Sequence, residues 1–198
     1  MEDRSPIFPV RKGTAMTALS MAPEWDCTAW LNTDRPISLA SLRGRPVVAA
    51  AFQMLCPGCV AETIPQLNRV HQLFKDQVAV IGLHSVFEHH DAMREPSLRA
   101  FLHEYRIAFP VGIDRHVAGH PVPQTMQTYR FRGTPTLLLI DADGRLRRQH
   151  FGHIPDLQLG AEIMAIMRDN QPGPGSEIRS HSPAGQSCPV DGECAVPH

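Results

Sequence analysis

The stretch PVVAAAFQMLCPGCVAETIPQLNRVHQLF, residues 46–74, decides the fold. Its first seven residues form an unbroken apolar run, which predicts a strand buried on both faces of a sheet that helices cover. Beyond the cysteines, apolar residues recur at steps of three and four, which predicts an amphipathic helix. These residues are Val60, Ile64, Leu67, Val70 and Phe74. Cys56 and Cys59 therefore lie where a buried strand passes into a helix.

This position favours thiolate chemistry. Pro57 suits the first helical turn, where its missing N–H costs nothing. The free N–H groups and the positive end of the helix dipole stabilise an anion there. Cysteines in such places have pKa values of roughly 3.5–7.5, against about 8.5 for a free thiol. We expect Cys56 to attack a disulfide and Cys59, one turn further on, to resolve the mixed disulfide.

A bare C-x-x-C is also half of a zinc site, but zinc needs a second pair of ligands and the chain has no second C-x-x-C. Placement between a strand and a helix favours the redox interpretation. Glu62 lies three residues after Cys59 on the predicted helix. It is either a buried carboxylate that accepts the Cys59 proton or a solvated helix residue. Pro65 removes one backbone hydrogen bond and should kink the helix.

The remaining pattern alternates strands and helices and ends in a hairpin across Asp143-Gly144. Strands are predicted at 28–31, 78–83, 108–113, 136–140 and 145–151, and helices around 98–105, 123–129 and 159–167. This order indicates an α/β fold with a central mixed sheet flanked by helices. His84, His89 and His90 follow a strand end, and loop histidines there are expected to be solvated. Cys27 is expected to be a small buried side chain or an idle thiol.

Arg132-Gly133-Thr134-Pro135-Thr136 is the second informative motif. A proline that opens a buried strand must lie at its first residue or its edge. A cis Thr134–Pro135 bond would bring this backbone beside the cysteines, where Thr134 could pair with an extended substrate. A trans proline that merely starts the strand is the alternative, because only about 5–6% of X–Pro bonds are cis.

Composition divides the chain into a flexible leader (1–21), one domain (22–169) and a Pro/Gly/Ser-rich tail (170–198) that we expect to be disordered. The tail carries a second cysteine pair, Cys188 and Cys194. That pair has three interpretations. It is an auxiliary dithiol that exchanges with the first pair, a metal ligand set together with histidines, or an unstructured pair without a role.

The balance of 19 Lys+Arg and 20 Asp+Glu leaves no basic stripe, so nucleic acid is not an expected partner. No apolar run reaches the roughly 18–20 residues of a membrane span, and the first 21 residues lack the apolar core of a secretory signal. These features predict a cytoplasmic protein without membrane association. No Gly-rich phosphate loop is present, so we expect no nucleotide or flavin cofactor, and we predict no metal centre.

Together, these motifs resemble the thioredoxin superfamily. Over roughly Ala22 to Arg168 the chain is most similar to TlpA/ResA-like thiol–disulfide oxidoreductases, which border the redoxin (AhpC/TSA) group. The most specific match is the run from Arg132 to Leu139, close to thioredoxin's R-G-x-P-T. The resemblance implies a thioredoxin-like fold, a cis Pro135 and a substrate surface that includes Pro57, Gly58 and Thr134.

Further matches extend the resemblance. They are the C-x-x-C-x-x-E run, in which the family's Glu lies beside the thiols, the opening residues 22–25 with 39–44, and the long segment between His84 and residues 109–114, where the family inserts elements. The resemblance implies thiols and disulfides of proteins or small molecules as substrates. An electron donor such as a thioredoxin reductase or glutathione system would be required.

Three departures stand out. Leu55 replaces the usual Trp before the first cysteine, the helix proline falls one residue later than usual at Pro65, and many relatives are exported or membrane-anchored. A peroxiredoxin-like peroxidase is one alternative, but P-x-x-x-[TS]-x-x-C fails because Ala49 and Gln53 occupy its Pro and Thr/Ser positions. A metal-binding or metallochaperone module that uses both cysteine pairs is the other.

Overall fold

The computed structural model describes residues 20–168, which form one mixed six-stranded sheet with four α-helices. The strands are β1 (Cys27–Leu31), β2 (Val47–Phe52), β3 (Ala79–His84), β4 (Val111–Asp114), β5 (Thr136–Ile140) and β6 (Leu146–Phe151). The helices are α1 (Ile64–Phe74), α2 (Glu95–Glu104), α3 (Gln124–Tyr129) and α4 (Asp156–Arg168). The predicted α/β architecture is confirmed.

The order of strands across the sheet is β1-β4-β3-β2-β5-β6. β2 runs parallel to β3 and antiparallel to β5, and β3 runs parallel to β4. Because parallel neighbours need a crossover, α1 connects β2 to β3 and α2 connects β3 to β4. The end of β2 therefore lies inside the sheet, between β3 and β5, and this is where the two cysteines follow.

Alternation along β2 explains why its whole run is apolar. Val48, Ala50 and Phe52 belong to a core shared with α1, α2 and α4. Ala49 and Ala51 belong to a second core on the other face, shared with α3 and the segment around Trp25. All six residues of β2 are buried, as predicted for a strand covered on both faces.

Most predicted strand boundaries differ from the structure by at most one residue, and two predicted boundaries differ by more. The fourth strand begins at Val111 rather than at residue 108, because Pro110 has no N–H to donate to a ladder. The carbonyl of Pro110 nevertheless accepts the N–H of Gly82, and α2 occupies the long segment before it. At the amino end, Ser20 and Met21 pair with the β5–β6 hairpin instead of belonging to the leader. The predicted disordered tail lies outside the described residues.

Candidate active site

The two cysteines lie at the exit of β2. The Cys56 N–H donates to the Gln53 carbonyl at 3.3 Å, which turns the chain out of the strand. Cys56 and Cys59 form a disulfide, and their Cα atoms lie 5.2 Å apart, within the range that such a bond requires. Cys56 is half-buried whereas Cys59 is 0% exposed. The two sulfurs therefore differ in their access to a partner molecule.

Backbone dipoles favour negative charge on the outer sulfur. The Cys59 N–H donates to Cys56 Sγ at 3.2 Å. Helical backbone begins at Pro57, directly after Cys56, so the positive end of the helix dipole lies beside the same sulfur. In the reduced protein this arrangement stabilises a thiolate at Cys56.

The loop before β5 closes the other side of the pair. The Thr134–Pro135 peptide bond is cis, as the family resemblance implied. The Thr134 carbonyl oxygen lies 3.5 Å from Cys56 Sγ. A Cβ built on Gly58 would lie 3.6 Å from Pro135 Cδ, so the two loops lie close together. The structure thus brings together Cys56, Gly58, Thr134 and Pro135. Cys56 and Thr134 are 78 residues apart in the sequence.

The prediction that Glu62 is buried beside the thiols is wrong, because its side chain is exposed. Residues Cys59–Thr63 form a π-helical turn, in which the Ile64 N–H donates to the Cys59 carbonyl five residues back. This wider turn rotates less per residue than an α-helix, so Glu62 does not share a face with Cys59. α1 then starts regularly with Pro65 in its first turn, where a proline is tolerated.

Sequence reasoning missed Gln53 as a site residue. It directly follows the apolar strand β2 and is only 1% exposed. Its side-chain amide donates toward Thr134 Oγ1 at 3.4 Å and Glu88 Oε1 at 3.5 Å, and it accepts the Phe87 N–H at 3.2 Å. The available signal was a polar residue three positions before the first cysteine, in a run that otherwise has no polar side chain.

His84 also differs from expectation. It is the last residue of β3 and is 1% exposed. The centroid of its ring lies 5.4 Å from the centroid of the Phe52 ring. Among the described residues, its Nε2 has no hydrogen-bond partner. Burial lowers the pKa of His84 to about 4, so the ring is neutral at pH 7. His89 and His90 are exposed, as predicted for loop histidines.

The other cysteines lie away from this site or beyond the described residues. Cys27 is half-buried on edge strand β1, where burial and then the nearby Asp114 and Asp26 raise the pKa of its thiol to about 12. This fits the expected idle thiol. Cys188 and Cys194 lie outside residues 20–168. Within that range, no three His, Cys, Asp or Glu side chains converge as a metal ligand set, and no helix is long and apolar enough to span a membrane.

Comparison with known proteins agrees with this geometry. The AhpC/TSA family profile matches residues 19–149, so the chain belongs to that family. Within it, the chain is a TlpA/ResA-like redoxin with a thioredoxin-like fold, and thiol–disulfide oxidoreductases are the class to which such redoxins belong.

Individual relatives support the same class. The thioredoxin-like superfamily protein SPOA0173 is 54% identical, with a TM-score of 0.73 over 76% of this chain and 97% of its own. A thiol-disulfide isomerase from Corynebacterium glutamicum is 42% identical, with a TM-score of 0.72 over the same shares. The thiol-disulfide oxidoreductase ResA of Halalkalibacterium halodurans is 26% identical over 67% of this chain and 68% of its own. Longer mycobacterial relatives match at 31% identity, and the match spans only 20% of their length.

Proposed function

We propose that this protein catalyses dithiol–disulfide exchange, with Cys56 as the nucleophile and Cys59 as the resolving cysteine. The asymmetry of the pair carries the proposal: Cys56 is accessible and accepts the Cys59 N–H, whereas the sulfur of Cys59 is buried. A nucleophile must reach its substrate as a thiolate, whereas a resolving thiol needs only to reach its neighbour.

The proposed reaction balances in two steps. The Cys56 thiolate attacks one sulfur of a substrate disulfide, a mixed disulfide forms, and the other substrate sulfur leaves as a thiolate that takes up a proton. Cys59 then attacks Cys56 Sγ, the bond between Cys56 and the substrate sulfur breaks, and the Cys59 proton passes to that departing sulfur, which leaves as the second substrate thiol. The substrate disulfide is reduced to two thiols while the enzyme dithiol is oxidised to the Cys56–Cys59 disulfide. The reverse sequence oxidises a substrate dithiol.

The groove beside Cys56 suits an extended substrate. Thr134 is half-buried, and its backbone lies next to Cys56 Sγ, where a substrate strand could add to it. Pro57 is exposed at the rim, and Leu55, in the place of the family's Trp, is 56% exposed. These apolar groups favour contacts with side chains that flank a disulfide in a polypeptide.

We further propose thiols and disulfides of proteins or small molecules as partners. In the reductive direction, a dithiol or thiol reductant must regenerate Cys56 and Cys59, for which a thioredoxin reductase or glutathione system has the required chemistry. A cytoplasmic location stays a prediction from the sequence, as do the roles of the tail cysteines. The reduction potential of the Cys56–Cys59 couple would set the direction, since 30 mV corresponds to about 1.4 kcal/mol.

Insulin reduction by single-cysteine variants tests the proposal. Cys56→Ser should abolish activity, and Cys59→Ser should accumulate a stoichiometric mixed disulfide at Cys56, visible by mass spectrometry. Cys27→Ser is the matched control and should keep wild-type rates, because Cys27 lies on the edge strand β1. Full activity in Cys56→Ser would refute the assignment.

Two further measurements address the alternatives. Oxidation of Cys56 by peroxide far faster than a free thiol, without insulin reduction, would instead indicate a peroxidase. Near-stoichiometric zinc or copper with no exchange activity would indicate the metal-binding module.

A further inference from the structure

Gln53 is the buried polar side chain nearest in sequence to the cysteines. It is 1% exposed and directly follows strand β2, whose side chains are all apolar. A buried amide destabilises a fold unless its donors and acceptor are satisfied, and an apolar side chain would avoid that risk altogether. The position of Gln53 therefore calls for a reason other than the packing of β2.

The partners of Gln53 supply that reason. Its Oε1 accepts the Phe87 N–H at 3.2 Å, which ties it to the loop after β3. Its Nε2 reaches Glu88 Oε1 in the same loop at 3.5 Å and Thr134 Oγ1 in the cis-proline loop at 3.4 Å. One planar amide thus joins the loop after β3 to the cis-proline loop beside Cys56, and its planarity fixes their relative positions.

We propose that Gln53 is a positioning residue that holds Thr134 in register with Cys56 for substrate binding; this inference rests on the proposed exchange function. Thr134 Oγ1 accepts a hydrogen bond from the Gln53 amide at 3.4 Å, and the Thr134 carbonyl oxygen lies 3.5 Å from Cys56 Sγ. With the side chain anchored, the Thr134 backbone stays aligned for a substrate strand while the sulfur attacks. Gln53 itself does not touch the reacting atoms.

Gln66 offers a matched control within the same chain. It is also a buried glutamine, 3% exposed, and its Nε2 donates to the Ile154 carbonyl at 2.9 Å and to Asp156 Oδ1 at 2.7 Å. These bonds join α1 to the segment that begins α4, and neither of them involves a residue of the cis-proline loop. Gln53→Met and Gln66→Met therefore each remove the hydrogen bonds of one buried amide, but only the Gln53 amide contacts the cis-proline loop.

The test uses two reactions of the reduced full-length protein. Insulin reduction requires the groove, whereas alkylation of Cys56 by iodoacetamide requires only a reactive sulfur. Gln53→Met should lower kcat/KM for insulin about three- to tenfold, the range expected for one lost hydrogen bond, mainly through a higher KM. Its Cys56 alkylation rate should stay within about twofold of wild type. Gln66→Met should lose thermal stability but keep both rates.

The possible results distinguish a failure of the inference about Gln53 from a failure of the proposed function. Unchanged insulin kinetics in Gln53→Met would overturn the inference, and so would equal losses in both reactions, because Gln53 would then act on the sulfur or on the fold. If Gln53→Met does not fold, Thr134→Val removes the same hydrogen bond by deleting Thr134 Oγ1. This variant should likewise show slower insulin reduction and an unchanged rate of Cys56 alkylation by iodoacetamide. A wild-type protein that alkylates at Cys56 but never reduces insulin or a peptide disulfide would overturn the proposed function instead.

Discussion

Acidification from pH 7 to pH 5 should destabilise the protein through His84. In the folded state burial lowers the pKa of this imidazole to about 4, whereas in the unfolded chain it titrates near its ordinary value of 6.5. The folded protein therefore holds a neutral ring at pH 5 while the unfolded chain binds a proton. Stability from this group is complete above pH 6.5 and is lost as the pH falls toward 4.

The magnitude follows from the two pKa values. Each unit of difference is worth 1.36 kcal/mol, so the loss should be about 2 kcal/mol at pH 5 and about 3 kcal/mol near pH 4. Among the described residues, His84 Nε2 has no partner, so nothing at that nitrogen offsets the cost of charging the ring. His84→Leu should remove this pH dependence. At pH 7 it should lower the free energy of unfolding only modestly, since it replaces a neutral ring by an apolar side chain.

Urea unfolding of the oxidised protein at pH 7, 6, 5 and 4 measures the effect as the difference between wild type and His84→Leu. Carboxylates titrate alike in both proteins and cancel in that difference. His103→Gln, at an exposed position, should keep the wild-type slope. Parallel pH profiles for wild type and His84→Leu would refute the reasoning.

Three further outcomes are expected. Gly112→Ala should lower the free energy of unfolding in urea by about 1–3 kcal/mol, because its Cβ would lie 2.6 Å from Cys27 Sγ. Gly160→Ala in α4 is the control: its Cβ would meet nothing within 4 Å, so the change should be neutral or stabilising by up to about 1 kcal/mol. Iodoacetamide at pH 8 should label Cys27 only after unfolding, since burial raises the pKa of that thiol to about 12, and rapid native labelling detected by peptide mass spectrometry would contradict this. Glu62→Gln should change the rate of insulin reduction less than twofold, because the carboxylate is exposed. A tenfold loss of rate would instead show that Glu62 takes part in the reaction.

Patterns within one segment predicted much of the fold. The apolar run of β2, the helical stripe after the cysteines and the Asp143-Gly144 turn each determine a local structure by side-chain periodicity or backbone preference. The contact between Gln53 and Thr134 joins residues 81 positions apart, and no local pattern encodes it. The cis Thr134–Pro135 bond was predicted only by resemblance to a family, because the residues alone left cis and trans open.

The error at Glu62 has a specific physical origin. Pro65 lies one residue later than the helix proline of TlpA-like proteins, and the turn just before it, Cys59–Thr63, is π-helical. A π-turn is what one added residue produces inside an α-helix, because the hydrogen bond then spans five residues instead of four. The wide turn therefore leads into an α1 that packs in the core, with Ile64 and Leu67 at most 1% exposed, while Glu62, within the turn itself, is exposed to solvent.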